Sequence, residues 1–144
     1  MRILKWILLT AIFIQFIPFG HNHKNPPATG EPAWNPPETG QLIHRACFDC
    51  HSNETVWPWY SNVAPVSWLV QRDVNDGRRH LNFTDWKIPQ RHAKDIAEQV
   101  REGDMPPWYY LPMHRDARLT AAEKQALIDG AEKSLGPQTA SDRH

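Results

Sequence analysis

The strongest constraint in this sequence is a five-residue motif that contains both of its cysteines. The chain has 144 residues, and its only cysteines lie three positions apart in Cys47-Phe48-Asp49-Cys50-His51. Two thiols at this spacing on one helical turn can both add to the vinyl groups at one edge of a haem, and the histidine that follows then points its imidazole at the iron. The motif therefore predicts one covalently attached haem c per chain, with His51 as the proximal iron ligand.

Two other chemistries use paired cysteines, and both fit this sequence less well. A thiol–disulfide redox pair has the same Cys-X-X-Cys spacing, but it normally lies in an alternation of strands and helices that is absent here. A structural zinc site requires a second ligand pair at a matching spacing. The pairs His21/His23 and His80/His92 could be considered, but neither has that spacing.

A haem iron held by one histidine has a sixth coordination position, which a side chain fills or which stays open. Met105 precedes Pro106-Pro107, and two prolines would hold it on a stiff, extended segment. A thioether ligand does not titrate, and paired with histidine it raises the reduction potential. We therefore expect Met105 as the sixth ligand. Met113, a histidine or an open position are the alternatives, and either methionine could instead be an ordinary core side chain.

The haem propionates need hydrogen-bond donors, and four residues near the motif could supply them. Arginine, tryptophan, tyrosine and asparagine side chains all carry suitable N–H or O–H groups. The candidate cofactor-binding residues are Trp59, Tyr60, Arg78 and Asn82. Each could equally be a core aromatic or a solvated polar side chain. Four other histidines are expected at the surface rather than at the iron: His44, His80, His92 and His114.

The N-terminal segment has the pattern of an export signal. Arg2 and Lys5 precede an almost entirely apolar run that ends at Phe19, and no small-residue cleavage site follows it. We expect residues 1–20 to be a signal-like membrane anchor, although the run is short for a span of ~20 residues. Residues 21–38 are expected to form a Pro-rich linker, which in extended form would reach ~60 Å.

Four helical segments are predicted after the linker, and no alternating strand pattern is present. They cover residues 41–50, 65–77, 89–102 and 120–135. Gly77 and Gly103 are the expected ends of the second and third segments, and Thr120 with Glu123 has the spacing of a capping box at the start of the fourth. The predicted fold is a small all-α cytochrome c-like haem domain with long ordered loops over residues 39–136. An N-terminal apolar helix precedes it, and a tail at residues 137–144 follows.

The charge balance argues against a nucleic-acid partner. The chain has 16 basic and 16 acidic side chains. Arg2 and Lys5 are the only charged residues among the first twenty, so the remainder carries 14 basic and 16 acidic side chains. A nucleic-acid surface needs a clear basic excess.

Beyond the Cys-X-X-Cys-His motif, the folded part contains a run of short motifs. They are Ser52-Asn53-Glu54-Thr55, Trp57-Pro58-Trp59-Tyr60-Ser61, Ala64-Pro65-Val66-Ser67-Trp68, Gly77-Arg78, Leu81-Asn82-Phe83 and Met105-Pro106-Pro107. Together with the cysteine motif they resemble the bacterial haem-binding-domain family, over residues 41–135. The resemblance implies a protein with one haem, either anchored on the periplasmic side of the bacterial inner membrane or, if the N-terminus is cleaved, soluble in the periplasm. The sequence departs from the family at Gly130, near which the family often has an aromatic residue; the glycine would permit a closer helix crossing or weaken the packing.

The family that the sequence resembles is related to cytochromes c, and this relation also suggests a hydrogen-bond partner for the proximal histidine. A ligating imidazole usually donates its second N–H to a fixed acceptor, which sets its orientation and basicity. In cytochromes c this acceptor is typically a proline carbonyl shortly before the next helix. We therefore expect Pro65, fourteen residues after His51, to accept this bond, with Pro58 as the second choice.

The expected function is one-electron transfer by a protein that is not an enzyme. The sequence has a single haem motif and no nucleophile–base constellation. Its expected partners are redox proteins at or near the inner membrane, and the membrane itself through the N-terminal segment. The alternatives are a haem-based gas or redox sensor and a small haem peroxidase, which would need an open distal site and a base such as His92.

Overall fold

The computed structural model describes residues 1–136, and within them the protein is built from five α-helices. They are α1 (Arg2–Phe13), α2 (Glu38–His51), α3 (Val66–His80), α4 (Ile96–Glu102) and α5 (Ala121–Leu135), with short 3₁₀ turns at Ile14–Phe16, Trp59–Asn62, Ala93–Asp95 and Arg115–Ala117. No β-strand occurs among these residues, and an isolated bridge joins Gly30 to Asp85. The all-α prediction is confirmed. The predicted tail lies outside the described residues.

The main core lies where α2, α4 and α5 meet. Ile43 of α2, Val100 of α4 and Leu127 of α5 are buried members of one hydrophobic cluster. Phe48 and Phe83 join it, with their rings parallel and 6.0 Å apart. Burying side chains of this size stabilises a fold by roughly 1.5–3 kcal/mol each. Because Phe48 belongs to the cysteine motif, this core also fixes the helix that carries the motif.

Helix α5 begins at the predicted capping box and crosses α2 at a glycine. The Thr120 hydroxyl accepts from the Glu123 amide at 3.2 Å, and the Glu123 carboxylate accepts from the Thr120 amide at 2.7 Å. A Cβ atom on Gly130 would lie only 1.9 Å from the Thr39 hydroxyl oxygen. Gly130 therefore permits the close crossing of α5 and α2, which was one of the two readings that the sequence left open.

A second glycine brings α3 against the motif helix. A Cβ atom on Gly77 would lie 2.4 Å from the carbonyl oxygen of Cys50, so only glycine fits at this crossing. The sequence predicts that Gly77 ends the helix, but α3 continues to His80. The glycine serves helix packing here rather than helix termination. Gly103 does end α4, with a left-handed φ of 84°.

The third predicted helix is shorter than its periodicity suggests. Residues 89–90 have no regular structure, 91–92 form a turn and 93–95 a 3₁₀ turn, so the α-helix begins only at Ile96. The Gln90 side chain accepts from the Asn82 amide at 3.0 Å and donates to the Asp85 carbonyl at 2.8 Å. These contacts tie the stretch to the preceding loop, and His92 Nδ1 meets the Asp95 carboxylate at 2.7 Å. Hydrogen bonds made by the Gln90 and His92 side chains thus take the place of the first helical turns.

The N-terminal segment forms helix α1, whose residues are all exposed. Within residues 1–136, no helix has both the length and the apolar character that a bilayer crossing requires. Just after α1, the Gln15 side-chain amide donates to the Ala64 carbonyl at 3.0 Å and accepts from the Ala64 amide at 2.9 Å. These two bonds fix the end of the segment to the residue pair that precedes α3.

The Pro-rich segment 21–38 runs along the domain, unlike the extended spacer predicted for these residues. Its partners are spread over the fold: the Thr29 amide donates to Thr84 O at 2.7 Å, Asn53 Nδ2 donates to Pro27 O at 3.1 Å, and the Asn35 amide donates to Ser134 Oγ at 2.8 Å. Trp34 packs beside Phe83, with ring centroids 5.8 Å apart. Prolines leave the chain without internal hydrogen bonds, so its remaining polar groups find partners on the domain.

Candidate haem site

The cysteine motif lines a large cavity. The cavity has a volume of about 730 Å³ and is enclosed by α2, α3, α4 and the loops around residues 55–60 and 105–114. This lies within the range of roughly 300–1,000 Å³ usual for cofactor and ligand pockets. Of the eight predicted site residues, six line it: Cys47, Cys50, His51, Trp59, Tyr60 and Met105. Arg78 and Asn82 do not.

The two thiols are free and unsuited to disulfide exchange. Burial raises the pKa of Cys47 to about 12, with a further contribution from Cys50. Burial likewise raises the pKa of Cys50 to about 12, helped by the nearby carboxylates of Asp73 and Asp49. Thiol redox catalysis depends on the thiolate and therefore on a lowered pKa. No cluster of three or more possible metal-ligating side chains is present in residues 1–136.

His51 is oriented by a backbone carbonyl at the end of α3. Its Nδ1 donates to Leu81 O at 3.0 Å, which leaves Nε2 as the ring nitrogen available to a metal. Burial lowers the pKa of His51, so the neutral imidazole that iron requires is favoured. The prediction that Pro65, or else Pro58, accepts this bond is wrong. Leu81 replaces them because the close crossing at Gly77 brings the end of α3 over the imidazole.

Both candidate methionines line the cavity, in different environments. Met105 is partly buried, and its amide donates to Gln99 O of α4 at 3.2 Å. The proline that follows, Pro106, is buried. Met113 is 60% exposed. A thioether held on a fixed backbone in a shielded position suits a ligand better than a solvated one.

The comparison with protein families agrees with this geometry. A family model described as a haem-binding domain matches residues 9–133, most of the chain. The chain belongs to this haem-binding domain family. The resemblance inferred from the sequence motifs is confirmed, and haem binding is supported. Neither the curated proteins nor the solved structures give a significant match.

The cavity of this haem-binding domain fits haem in size and in chemistry. Its walls are mostly aliphatic and aromatic, and include Leu69, Val74 and Val100. Trp59 and Tyr60, two of the predicted propionate donors, lie at the cavity. Trp59 is 73% exposed, whereas the Tyr60 hydroxyl already bonds to His114 Nε2 at 2.5 Å.

Arg78 serves the protein scaffold instead of the cavity. Its guanidinium donates to the carbonyl oxygens of Ser52 at 2.7 Å and Lys24 at 2.9 Å, and to side-chain oxygens of Asn25 and Thr55. It thereby ties the Pro-rich segment to the loop that follows the haem motif. The sequence cannot distinguish this role from propionate binding, because a guanidinium suits carbonyl and carboxylate oxygens alike.

Asn82 is a buried structural residue. Its Nδ2 donates to Asn53 Oδ1 at 2.8 Å, and its Oδ1 accepts from the amide and the hydroxyl of Thr84. Both polar groups of its side chain are bonded to other loop residues, so Asn82 does not reach the cavity.

Sequence reasoning missed a polar cluster at the cavity wall. Tyr110 Oη donates to Asp49 Oδ2 at 2.6 Å, and His114 Nδ1 lies 3.6 Å from the same oxygen. The Tyr110 and His114 rings stack 3.8 Å apart. Burial, together with the bond to Asp49, raises the pKa of Tyr110 well above its usual range. Asp49 lies inside the motif, and Tyr110 shortly follows the Pro-Pro pair, but nothing local joins two residues 61 positions apart.

The histidines predicted at the surface divide into two groups. His44 is exposed and meets Glu31 at 3.0 Å, in agreement with the prediction. His80 and His92 are exposed, yet both line the cavity, with ring centroids 5.5 Å apart. His114 is only 20% exposed at its side chain, so its predicted surface position is wrong.

Proposed function

We propose that this haem-binding domain protein is a monohaem c-type cytochrome that transfers single electrons and is not an enzyme. The observation that carries the proposal is the arrangement of Cys47, Cys50 and His51 along one cavity, with His51 Nδ1 fixed on Leu81 O at 3.0 Å. This arrangement provides two attachment points and one oriented axial ligand for a haem. When bound, haem supplies a one-electron couple between ferric and ferrous iron.

The chain contributes attachment, ligation and shielding to that couple. The thiols of Cys47 and Cys50 would hold the cofactor on α2, burial keeps the His51 imidazole neutral, and the Leu81 carbonyl orients it. Met105 is proposed as the second axial ligand, because its backbone is fixed on α4 and its side chain is partly buried in the cavity. Aliphatic walls keep water away, and a Met/His ligand pair raises the reduction potential.

Covalent attachment is tested on the full-length chain, expressed together with a haem-attachment system. Haem should stay on the polypeptide after denaturation and acid–acetone extraction. Cys47→Ser and Cys50→Ser should each leave one thioether and shift the pyridine haemochrome spectrum. The double variant is the control for non-covalent haem. Haem that washes out of the wild-type protein would refute the proposal.

The absorption spectrum with and without carbon monoxide distinguishes electron transfer from the alternatives. A ferrous iron with two protein ligands binds carbon monoxide slowly. An iron with an open distal site, as in a gas sensor or a peroxidase, binds it at once. Met105→Ala should convert the first behaviour into the second, and Met113→Ala is the matched control that should leave the spectrum unchanged.

We further propose that the protein works on the periplasmic side of the inner membrane, with membrane-associated redox proteins as its partners. The support is the apolar N-terminal run behind Arg2 and Lys5, and the exposure of every residue in α1. Cell fractionation and the mass of the mature protein test this. A soluble product that begins near His21 would replace the anchored form by a freely diffusing one, and a cytoplasmic product would refute the location.

A further inference from the structure

Residues 105–114, the distal segment, form one wall of the cavity. The segment begins where α4 ends: Gln99 O accepts from the amides of Asp104 at 3.0 Å and Met105 at 3.2 Å. Pro106 and Pro107 follow, and their rings fix two backbone φ angles. A displacement further along the segment therefore also moves Met105, because the two prolines cannot absorb it by rotating.

A tyrosine ties the distal segment to the helix that carries the haem motif. Tyr110 Oη donates to Asp49 of α2 at 2.6 Å. The Asp49 carboxylate is itself fixed, because its second oxygen accepts from the Val56 amide at 3.2 Å. Hydrogen bonds to a carboxylate are about twice as strong as those between neutral groups.

The end of the distal segment is fixed at the same place. His114 stacks on Tyr110 and lies beside the Asp49 carboxylate, while its Nε2 bonds to the Tyr60 hydroxyl. The following turn places Ala117 in the interior. The segment is thus held at its start by α4, at its middle by the Tyr110–Asp49 pair, and at its end by His114.

We propose that Tyr110 and Asp49 form a positioning pair that keeps the Met105 thioether in place as the sixth ligand of the haem iron. The inference rests on the proposed function, since it takes Met105 as the sixth ligand. It assigns a role to a carboxylate inside the haem-attachment motif: Asp49 joins the helix that bears the proximal ligand to the segment that bears the distal one. Tyr110 acts through the backbone of the distal segment and is not itself proposed as a ligand.

The test removes a single hydroxyl group in the full-length holoprotein. Tyr110→Phe keeps the ring and deletes only the bond to Asp49. It should weaken the methionine–iron absorption band of the oxidised protein and raise the carbon monoxide association rate of the reduced protein about tenfold, the loss expected for one hydrogen bond to a charged group. Asp129→Asn, which removes an exposed carboxylate of α5, is the control and should match the wild type.

Three outcomes distinguish the inference from the proposal on which it rests. If Met105→Ala abolishes the band while Tyr110→Phe keeps the wild-type band and rate, the ligand assignment stands and the positioning role is refuted. If Met105→Ala leaves the band intact, the ligand assignment fails and the positioning role fails with it. A lower melting temperature of Tyr110→Phe with an unchanged band would show that the hydroxyl stabilises the fold without positioning the ligand, and this too would refute the inference.

Discussion

Replacing Gly77 with alanine tests two opposite expectations for the free energy of unfolding. Helix propensity alone predicts that alanine stabilises α3 by about 1 kcal/mol. In the structure, however, the new Cβ would lie 2.4 Å from Cys50 O and 2.9 Å from Cys50 C. Both are backbone atoms, so no side-chain rotation can relieve the contact. Because ordinary contacts begin at 3.4 Å, the backbones must move apart by about 1 Å.

The magnitude follows from these two opposing effects. Overpacking typically costs 1–3 kcal/mol, and a contact with backbone belongs in the upper part of that range. After the gain in propensity of about 1 kcal/mol, we expect Gly77→Ala to lower the free energy of unfolding by about 1–2 kcal/mol. The displaced residue, Cys50, is one of the two proposed haem attachment points and precedes His51, the proposed proximal ligand. The variant should therefore also attach less haem.

Urea unfolding followed by tryptophan fluorescence measures the first effect, and the ratio of haem to protein measures the second. Gly103→Ala is the matched control, because Gly103 has a φ of 84° and no atom within 4 Å of its would-be Cβ. That variant bears a conformational cost of roughly 1 kcal/mol and should attach haem normally. A Gly77→Ala protein as stable as the wild type, with a full complement of haem, would show that the helix crossing tolerates a side chain and would refute the reasoning.

Two further predictions concern residues outside the cavity. Arg78→Leu should lower the free energy of unfolding by about 2–4 kcal/mol and expose the chain near Lys24 to proteases, without changing the haem spectrum; a shifted spectrum would restore its predicted role at a propionate. The pKa of Glu123 is lowered to about 2 by bonds from the Thr120 amide and from Arg45. The ionised carboxylate therefore stabilises the folded state above its ordinary pKa of 4.5, and this contribution is lost as pH falls toward 2. An acid-unfolding curve of Glu123→Gln should be flatter than that of the wild type in this window, and identical curves would contradict the assignment.

What the sequence predicts well is local. The haem motif and the capping box at Thr120 each depend on residues within one or two helical turns, and both lie where they are expected. The proposal of Met105 as a ligand is also local, because the stiffness of its backbone depends on its immediate neighbours, and it stays a prediction. The same holds for the all-α class, which follows from apolar spacing within each segment.

The contacts that the sequence does not predict are those between residues that lie far apart in sequence. The acceptor of His51 is a backbone carbonyl, Leu81 O, and every residue in the chain has such a group. Arg78 has the chemistry of a propionate donor, but four acceptors on the Pro-rich segment and the motif loop already occupy it. The pairing of Tyr110 with Asp49 joins positions far apart in sequence. In each case the residue type permits several partners, and only the tertiary arrangement selects one.

The path of the Pro-rich segment along the domain also affects the order in which parts of the domain fold. The segment leaves the ribosome before every element it contacts, yet its hydrogen bonds join Thr29 to Thr84 and Asn35 to Ser134, which is 99 positions later. Contacts of such sequence separation carry a large loop-closure cost and form late in folding. A nascent chain that ends before α5 leaves Asn35 without its partner. This end of the Pro-rich segment is therefore bound in place only after α5 has been synthesised.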